Sequence, residues 1–290
     1  LVAMLADKDQ QGRFFGILDG GRGLVEALLA TFAIALFAYI LSQDAGATKM
    51  ALQQVIYLYV AVLLVVSALV YWLLDDREED TDISEESVKS VFIDDLKDVL
   101  SRREIWLCAI CIVCGYQLFY ATYSFSAYLQ QNFSLTAVMV GYITVAKLWM
   151  RPIGGIAAGF IGDWLNPEKV LSILLVLASL SLAMMAFVPA SSAALLMIVL
   201  VLLIGLLTYG VRGLYWATLG GCNVPNKIKG LAIGIISVIG YFPEVYLPLL
   251  SAPLIENYPG GLGYKIYYLI VATCGLLGAY AAYLLARPKV

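Results

Sequence analysis

Seven ionisable side chains stand within or at the edges of stretches that are otherwise apolar: Asp19, Arg22, Glu26, Lys147, Arg151, Arg212 and Glu244. Acids and bases placed in this way can hold a charged solute, neutralise one another or pass a proton, and none of those tasks calls for a metal or a cofactor. Asp19, Arg22 and Glu26 follow at i, i+3 and i+7, an arc of about 60° at roughly 100° per helical residue, and Lys147 and Arg151 form an i, i+4 pair. Each set makes one charged stripe on its helix.

An ionised side chain at the centre of a bilayer costs about 2.5 to 3.5 kcal/mol, so seven of them facing lipid would cost roughly 17 to 25 kcal/mol. That exceeds the ~5 to 15 kcal/mol by which folded proteins are stable. The seven groups must therefore share a polar interior. Arg22, Lys147, Arg151 and Arg212 are then candidate contacts for an anionic solute. Glu26 and Glu244 are candidates for proton coupling, because desolvation favours a neutral carboxyl that can load and release a proton. A plainer reading pairs Asp19 with Arg22 and Arg22 with Glu26 along one helix and lets Arg212 snorkel to the surface. Lys147 and Arg151 repel each other and have no acid nearby in sequence, so Glu244 or a bound anion would have to balance them. Between 116 and 128, Tyr116, Gln117, Tyr120, Thr122, Tyr123, Ser124, Ser126 and Tyr128 supply polarity without charge. Gln117 and Tyr120 are the candidate substrate contacts there.

The elements that must position these groups follow from composition. Of 290 residues, 62% are hydrophobic and 13% charged, and the mean hydropathy is +0.87. Soluble domains carry roughly 25% charged residues, so a water-soluble enzyme is excluded. The absence of histidine removes imidazole bases, His-based metal sites and Ser-His-Asp relays. A net charge of -3 offers no basic surface for nucleic acid. The five cysteines are not the paired framework of an oxidised secreted domain. Cys108, Cys111 and Cys114 lie in an apolar run and read as small packing residues rather than metal ligands.

Apolar runs long enough to cross a hydrocarbon core of about 30 Å fall at 24–41, 53–74, 105–129, 137–162, 170–188, 193–219, 230–255 and 264–286. The predicted fold is all-α, a polytopic membrane bundle of eight helices. The runs at 53–74, 170–188 and 264–286, free of charge in their interiors, read as a lipid-facing outer layer. With both ends cytoplasmic, that side carries Lys8, Arg13, Arg77, Lys89, Lys97, Arg102, Arg103, Lys169, Lys227, Lys229, Arg287 and Lys289, against Lys49 and Lys265 opposite. No signal peptide is evident, and the chain opens on Leu1 without an initiator Met, so a preceding segment is expected.

Three regions result: two helices over 1–74, a linker over 75–104 and six helices over 105–290. The linker holds twelve acids and five bases, and Val88, Val91, Phe92, Leu96, Val99 and Leu100 recur at helical spacing, which predicts a short amphipathic helix along the cytoplasmic face; the plainer reading is a solvated linker with one docked turn. Gly12, Gly16 and Glu26 share their spacing with Gly230, Gly234 and Glu244, as related half-structures would. Gly155 and Gly159 allow close helix approach. Pro243, Pro248 and Pro253 should break the helix that bears Glu244, with a hinge at Pro243.

The run from Gly155 through Gly159 and Asp163 to Lys169 resembles the second-half loop motif of the major facilitator superfamily, G-x-x-x-D-(R/K)-x-G-(R/K), with Trp164 in place of the expected base. The segments from Gly12 to Glu26 and from Gly230 to Pro248 look like a bacterial branch of that family. The resemblance covers the whole chain. It implies helices five to twelve of a twelve-helix transporter, with the acidic linker as the central cytoplasmic loop and the first four helices supplied from outside this sequence or by a partner subunit. It also implies that Asp163 gates by stabilising closure at the start of the Gly12–Leu41 helix, with Arg22 or Arg13 as partner. The resemblance implies secondary active transport by alternating access in a bacterial cytoplasmic membrane, and the intramembrane charges, four bases against three acids, point to a small polar, anionic organic solute with proton coupling through Glu26 and Glu244. The competing reading is a receptor or sensor on a transporter scaffold that signals through the acidic loop.

Overall fold

The structure, a computed structural model, describes residues 10–44, 46–73, 85–189, 194–222 and 224–287. Lys8, Arg77 and Lys289 of the charge asymmetry, the 75–84 part of the acidic linker and the side chains of Val88, Lys89 and Val91 lie outside the described residues. Twelve α-helices are present among those described: α1 Gln11–Gln43, α2 Thr48–Leu73, α3 Glu85–Ser101, α4 Arg103–Ala121, α5 Phe125–Phe133, α6 Ala137–Leu165, α7 Pro167–Phe187, α8 Ala194–Leu214, α9 Thr218–Gly221, α10 Asn226–Gly240, α11 Pro243–Asn257 and α12 Leu262–Leu285. Short 3-10 turns at Thr122–Ser124 and Tyr215–Ala217 join α4 to α5 and α8 to α9, so each pair crosses as one broken span.

Seven of the resulting spans are long and apolar enough to cross a membrane. The eighth predicted span is α6, a 29-residue helix that carries Lys147, Arg151 and Asp163 and falls short of the others in apolarity. The first span begins further back than hydropathy suggests, at Gln11, which puts Asp19, Arg22 and Glu26 all inside α1. The span at 230–255 divides between Gly240 and Pro243. Pro243 occupies the first turn of α11, where its missing N–H costs nothing, whereas Pro248 and Pro253 are accommodated inside α11.

Local chemistry fixes several helix starts. The Thr136 hydroxyl accepts from the Met139 N–H at the head of α6. Asn166, at φ 115°, caps α7 by accepting from the Lys169 N–H at 3.0 Å, ahead of Pro167. No side chain of its own caps α1. That role falls to Asp163, described below.

The apolar core lies between α4, α7, α8 and α12, around Ile112, Leu118, Leu171, Leu175, Leu182, Val211 and Tyr268. Helices α7 and α12 bury one face there and expose the other, with Leu180, Met184, Leu277 and Tyr280 outward. Helix α2 buries only Ala51. Helix α1 runs against α6 along a seam of glycines: a Cβ on Gly16 would lie 2.6 Å from the Gly155 carbonyl oxygen. Gly230 and Gly234, at the matching spacing on α10, face open space, so the shared spacing does not carry a shared packing environment among the described residues. A helix forms in the linker as α3, but of the apolar positions expected to share one face only Val99 is buried among those described. The helix docks through fully buried Val99 and an Asp95 to Lys227 ion pair at 3.0 Å, with Phe92, Ile93 and Leu100 exposed.

Candidate functional site

Helices α1 and α6 pack antiparallel, so their midpoints meet. Glu26 stands at the middle of α1 and Arg151 at the middle of α6, and the two form an ion pair. At about 1.5 Å of rise per residue, each is more than 20 Å from either end of its helix, which is the depth of the bilayer midplane. The Arg151 guanidinium also grips Asp19 with two bonds, Nη2 to Oδ1 at 2.6 Å and Nε to Oδ2 at 3.3 Å. This fork geometry is what a planar guanidinium offers a carboxylate. Gly23 makes room for it, since a Cβ there would lie 2.7 Å from the Arg151 Cδ.

Arg212, near the end of α8, reaches the same place. Its Nε is 3.8 Å from Asp19 Oδ1, and its guanidinium lies 4.2 Å from the centre of the Phe119 ring and 5.6 Å from that of Tyr116. The Nε is buried and makes no hydrogen bond. Asp19, Glu26, Arg151 and Arg212 thus form a formally neutral quartet in which Asp19 is shared and Arg212 is the least satisfied member. Arg212 does not snorkel outward; the aromatic face of α4 draws it in.

The remaining acid is held differently. Glu244, in the first turn of α11, accepts a hydrogen bond from the Tyr116 hydroxyl. It balances neither Lys147 nor Arg151, contrary to expectation. Lys147 is 3% exposed and donates to the Thr122 hydroxyl at 2.9 Å and the Thr122 carbonyl at 3.4 Å. The 3-10 turn at Thr122–Ser124 presents both oxygens to it. The Tyr123 and Phe125 rings flank the ammonium at 5.7 and 5.9 Å. Among the described residues Lys147 forms no ion pair.

Two predicted contacts sit elsewhere and a third lies at the aromatic wall of the cluster. Arg22 is exposed and lies with Ile17, Leu18 and Val25 on the open face of α1. It pairs with neither Asp19 nor Glu26, because both turn toward α6. Gln117 is buried between helices, its Oε1 accepting from Tyr246 at 2.6 Å and its Nε2 donating to the Val271 carbonyl at 3.5 Å. Tyr120, half-buried, packs against the Tyr116, Phe119 and Tyr209 rings that face the two arginines, with its centroid 5.4 Å from that of Tyr123. Sequence reasoning passed over Phe119 because it is apolar, and took Tyr116 and Thr122 only as parts of a polar stretch. Their recurrence along 116–123 was the available signal.

At one end of the seam, Asp163 accepts the backbone N–H groups of Gly12 at 2.7 Å and Arg13 at 2.9 Å, and the Arg13 Nε at 3.1 Å. A carboxylate here satisfies two otherwise unmet donors and complements the positive end of the α1 dipole. Arg13, not Arg22, is its side-chain partner. Pro243 begins α11 beside Glu244 at the break in its span.

A family model described as Major Facilitator Superfamily matches residues 1–248. The chain is 26% identical to "Inner membrane protein YihN" of Escherichia coli (strain K12) over 292 residues, covering 99% of this chain and 68% of that protein. It is 28% identical to "Inner membrane protein YqcE" of the same organism over 284 residues, covering 95% of this chain and 65% of that protein. The chain therefore spans about two thirds of the length of these relatives. With the family match over most of its residues and a polytopic helical bundle to go with it, this integral membrane protein belongs to the major facilitator superfamily.

Proposed function

We propose that this protein is the larger part of a secondary active transporter that carries a small polar anion by alternating access, coupled to protons. The observation that carries the reading is the Arg212 Nε, buried at the cluster and without a hydrogen-bond partner. A buried N–H without an acceptor, 3.8 Å from the Asp19 carboxylate, costs free energy that an anion drawn to this guanidinium would help to recover. Arg151 and Lys147 stand behind it. Family members generally move small solutes through the membrane, and the antiparallel α1–α6 seam joins the segment before the acidic linker to the one after it.

A proton arriving at Glu26 would remove one of the two acids that hold Arg151 and free part of the guanidinium for a solute carboxylate. Glu244 holds no arginine among the described residues; a proton there would weaken its hydrogen bond from Tyr116, whose ring lies 5.6 Å from the Arg212 guanidinium. Rocking the two halves along α1 and α6 would open the midplane to each face in turn. Asp163 on the α1 terminus would hold one of the closed forms.

The test is thermal stabilisation and uptake by the full-length protein in proteoliposomes, using a panel of small carboxylated and uncharged solutes. Anions should stabilise the wild type, Arg212→Gln should abolish that stabilisation, and an imposed pH gradient should drive uptake. Equal effects of uncharged solutes, with Arg212→Gln unimpaired, would sink the reading.

A further inference from the structure

Away from the midplane, a cavity of about 250 Å³ opens where α4 begins, α9 ends and α12 ends. Arg103, the first residue of α4, and Arg287, just past α12, both line it and both are exposed. Glu104 lines it too, leaving the site with a net positive charge from its side chains. Its other walls are Leu107, Leu284 and Leu285. The cavity thus joins a cationic rim to an apolar flank at the ends of two spanning helices.

We propose that this cleft binds the headgroup of an anionic phospholipid, with the phosphate between Arg103 and Arg287 and an acyl chain descending along Leu107 and Leu284. Two arginines bordering one space are suited to a phosphate, which accepts paired guanidinium N–H donors; Arg287 also donates to the Tyr283 hydroxyl at 3.3 Å and would turn from it toward the phosphate. A basic recess between membrane helices at the headgroup level selects anionic lipid over zwitterionic lipid. The flanking aromatics fix that level. Trp106 is 44% exposed, with its indole N–H donating to the Leu100 carbonyl, and Tyr283 is 49% exposed beneath the Arg287 guanidinium. Tryptophan and tyrosine favour this depth of the bilayer. The leucine wall distinguishes lipid from free phosphate, which would gain nothing from it. This site shares no residue with the midplane cluster, so it stands whether or not the transport reading holds.

The test uses the full-length protein in mild detergent, mixed with phosphatidylglycerol, phosphatidylcholine or inorganic phosphate, and reads the unfolding temperature and the lipid retained after delipidating washes. Phosphatidylglycerol should raise the unfolding temperature and remain bound, while phosphatidylcholine and phosphate should do neither. Arg103→Gln with Arg287→Gln should lower phosphatidylglycerol retention by roughly tenfold or more. Arg103→Lys with Arg287→Lys should keep most of it, which separates lost charge from lost fold, and Arg102→Gln, whose partner is Asp98, should match the wild type. Undiminished retention in the double Gln variant would overturn the proposal, as would an equal shift with inorganic phosphate or phosphatidylcholine.

Discussion

At the middle of α6, the Arg151 guanidinium is shared between Asp19 and Glu26 and lies 5.8 Å from the centre of the Tyr209 ring. Its side chain is 10% exposed, that of Asp19 12% and that of Glu26 42%. Removing one member of a buried pair leaves its partner charged and unmatched, at a cost of about 3 to 5 kcal/mol. Arg151→Met should therefore lower the unfolding temperature sharply, and adding Asp19→Asn should restore part of the loss. Glu26→Gln should cost less, because water already reaches that carboxylate. A calorimetric scan in detergent that ranks these variants otherwise would show that the pairs are not what holds the interior. Lys147 depends on a different neighbour. Its stem crosses Gly205 so closely that a Cβ there would lie 2.6 Å from the Lys147 Cγ. Gly205→Ala must displace the lysine, and at roughly 1 to 3 kcal/mol of overpacking it should reduce uptake while leaving a folded protein by circular dichroism.

The seam between α1 and α6 depends on small residues, since only glycine lets two helix backbones touch. Gly16→Ala would set a methyl 2.6 Å from the Gly155 carbonyl oxygen and 3.1 Å from the Gly159 Cα. Backbone cannot step aside as a side chain can. The two helices would have to separate, with an expected loss of about 1 to 3 kcal/mol and weaker cross-linking between cysteines placed along α1 and α6. Helix α11 makes a contrasting case. Pro243 begins it rather than interrupting it, so Pro243→Ala should change stability by less than about 1 kcal/mol. If the break before Glu244 acts as a hinge, the same substitution should alter transport turnover, and unchanged kinetics would assign Pro243 a purely local role.

For the whole molecule, three links tie α1 to α6 along its length: Asp163 at the α1 terminus, Arg151 at the midplane, and the Trp149 indole donating to the Thr31 hydroxyl at 3.1 Å further on. The first link is the one proposed to hold a closed form. Asp163→Asn keeps an acceptor for the α1 amides but loses the charge that Arg13 and the helix dipole answer. Cysteines placed around the Asp163 end should then label faster, and labelling at the wild-type rate would remove Asp163 from gating. Class and span were legible beforehand, because the transfer of a residue into hydrocarbon depends on that residue and its near neighbours along the chain. Runs of apolar residues therefore marked the helices, but the shared interior expected for all seven charges gathers only Asp19, Glu26, Arg151 and Arg212, while Arg22 and Glu244 are exposed. The helical spacing near 92–100 matches a helix, α3, but not a buried face, since Phe92 and Leu100 are exposed. Partnership was not legible, because it depends on how helices rotate against one another across long separations. Arg151 finds Asp19 and Glu26 on another helix more than a hundred residues away, Glu244 goes to a tyrosine, and Lys147 settles on Thr122. Arg22, spaced within the same stripe as Asp19 and Glu26, falls just past the edge of the seam and faces outward. Hydropathy is a local sum that the sequence already contains, whereas the matching of charges is a contact between distant surfaces that only packing can decide.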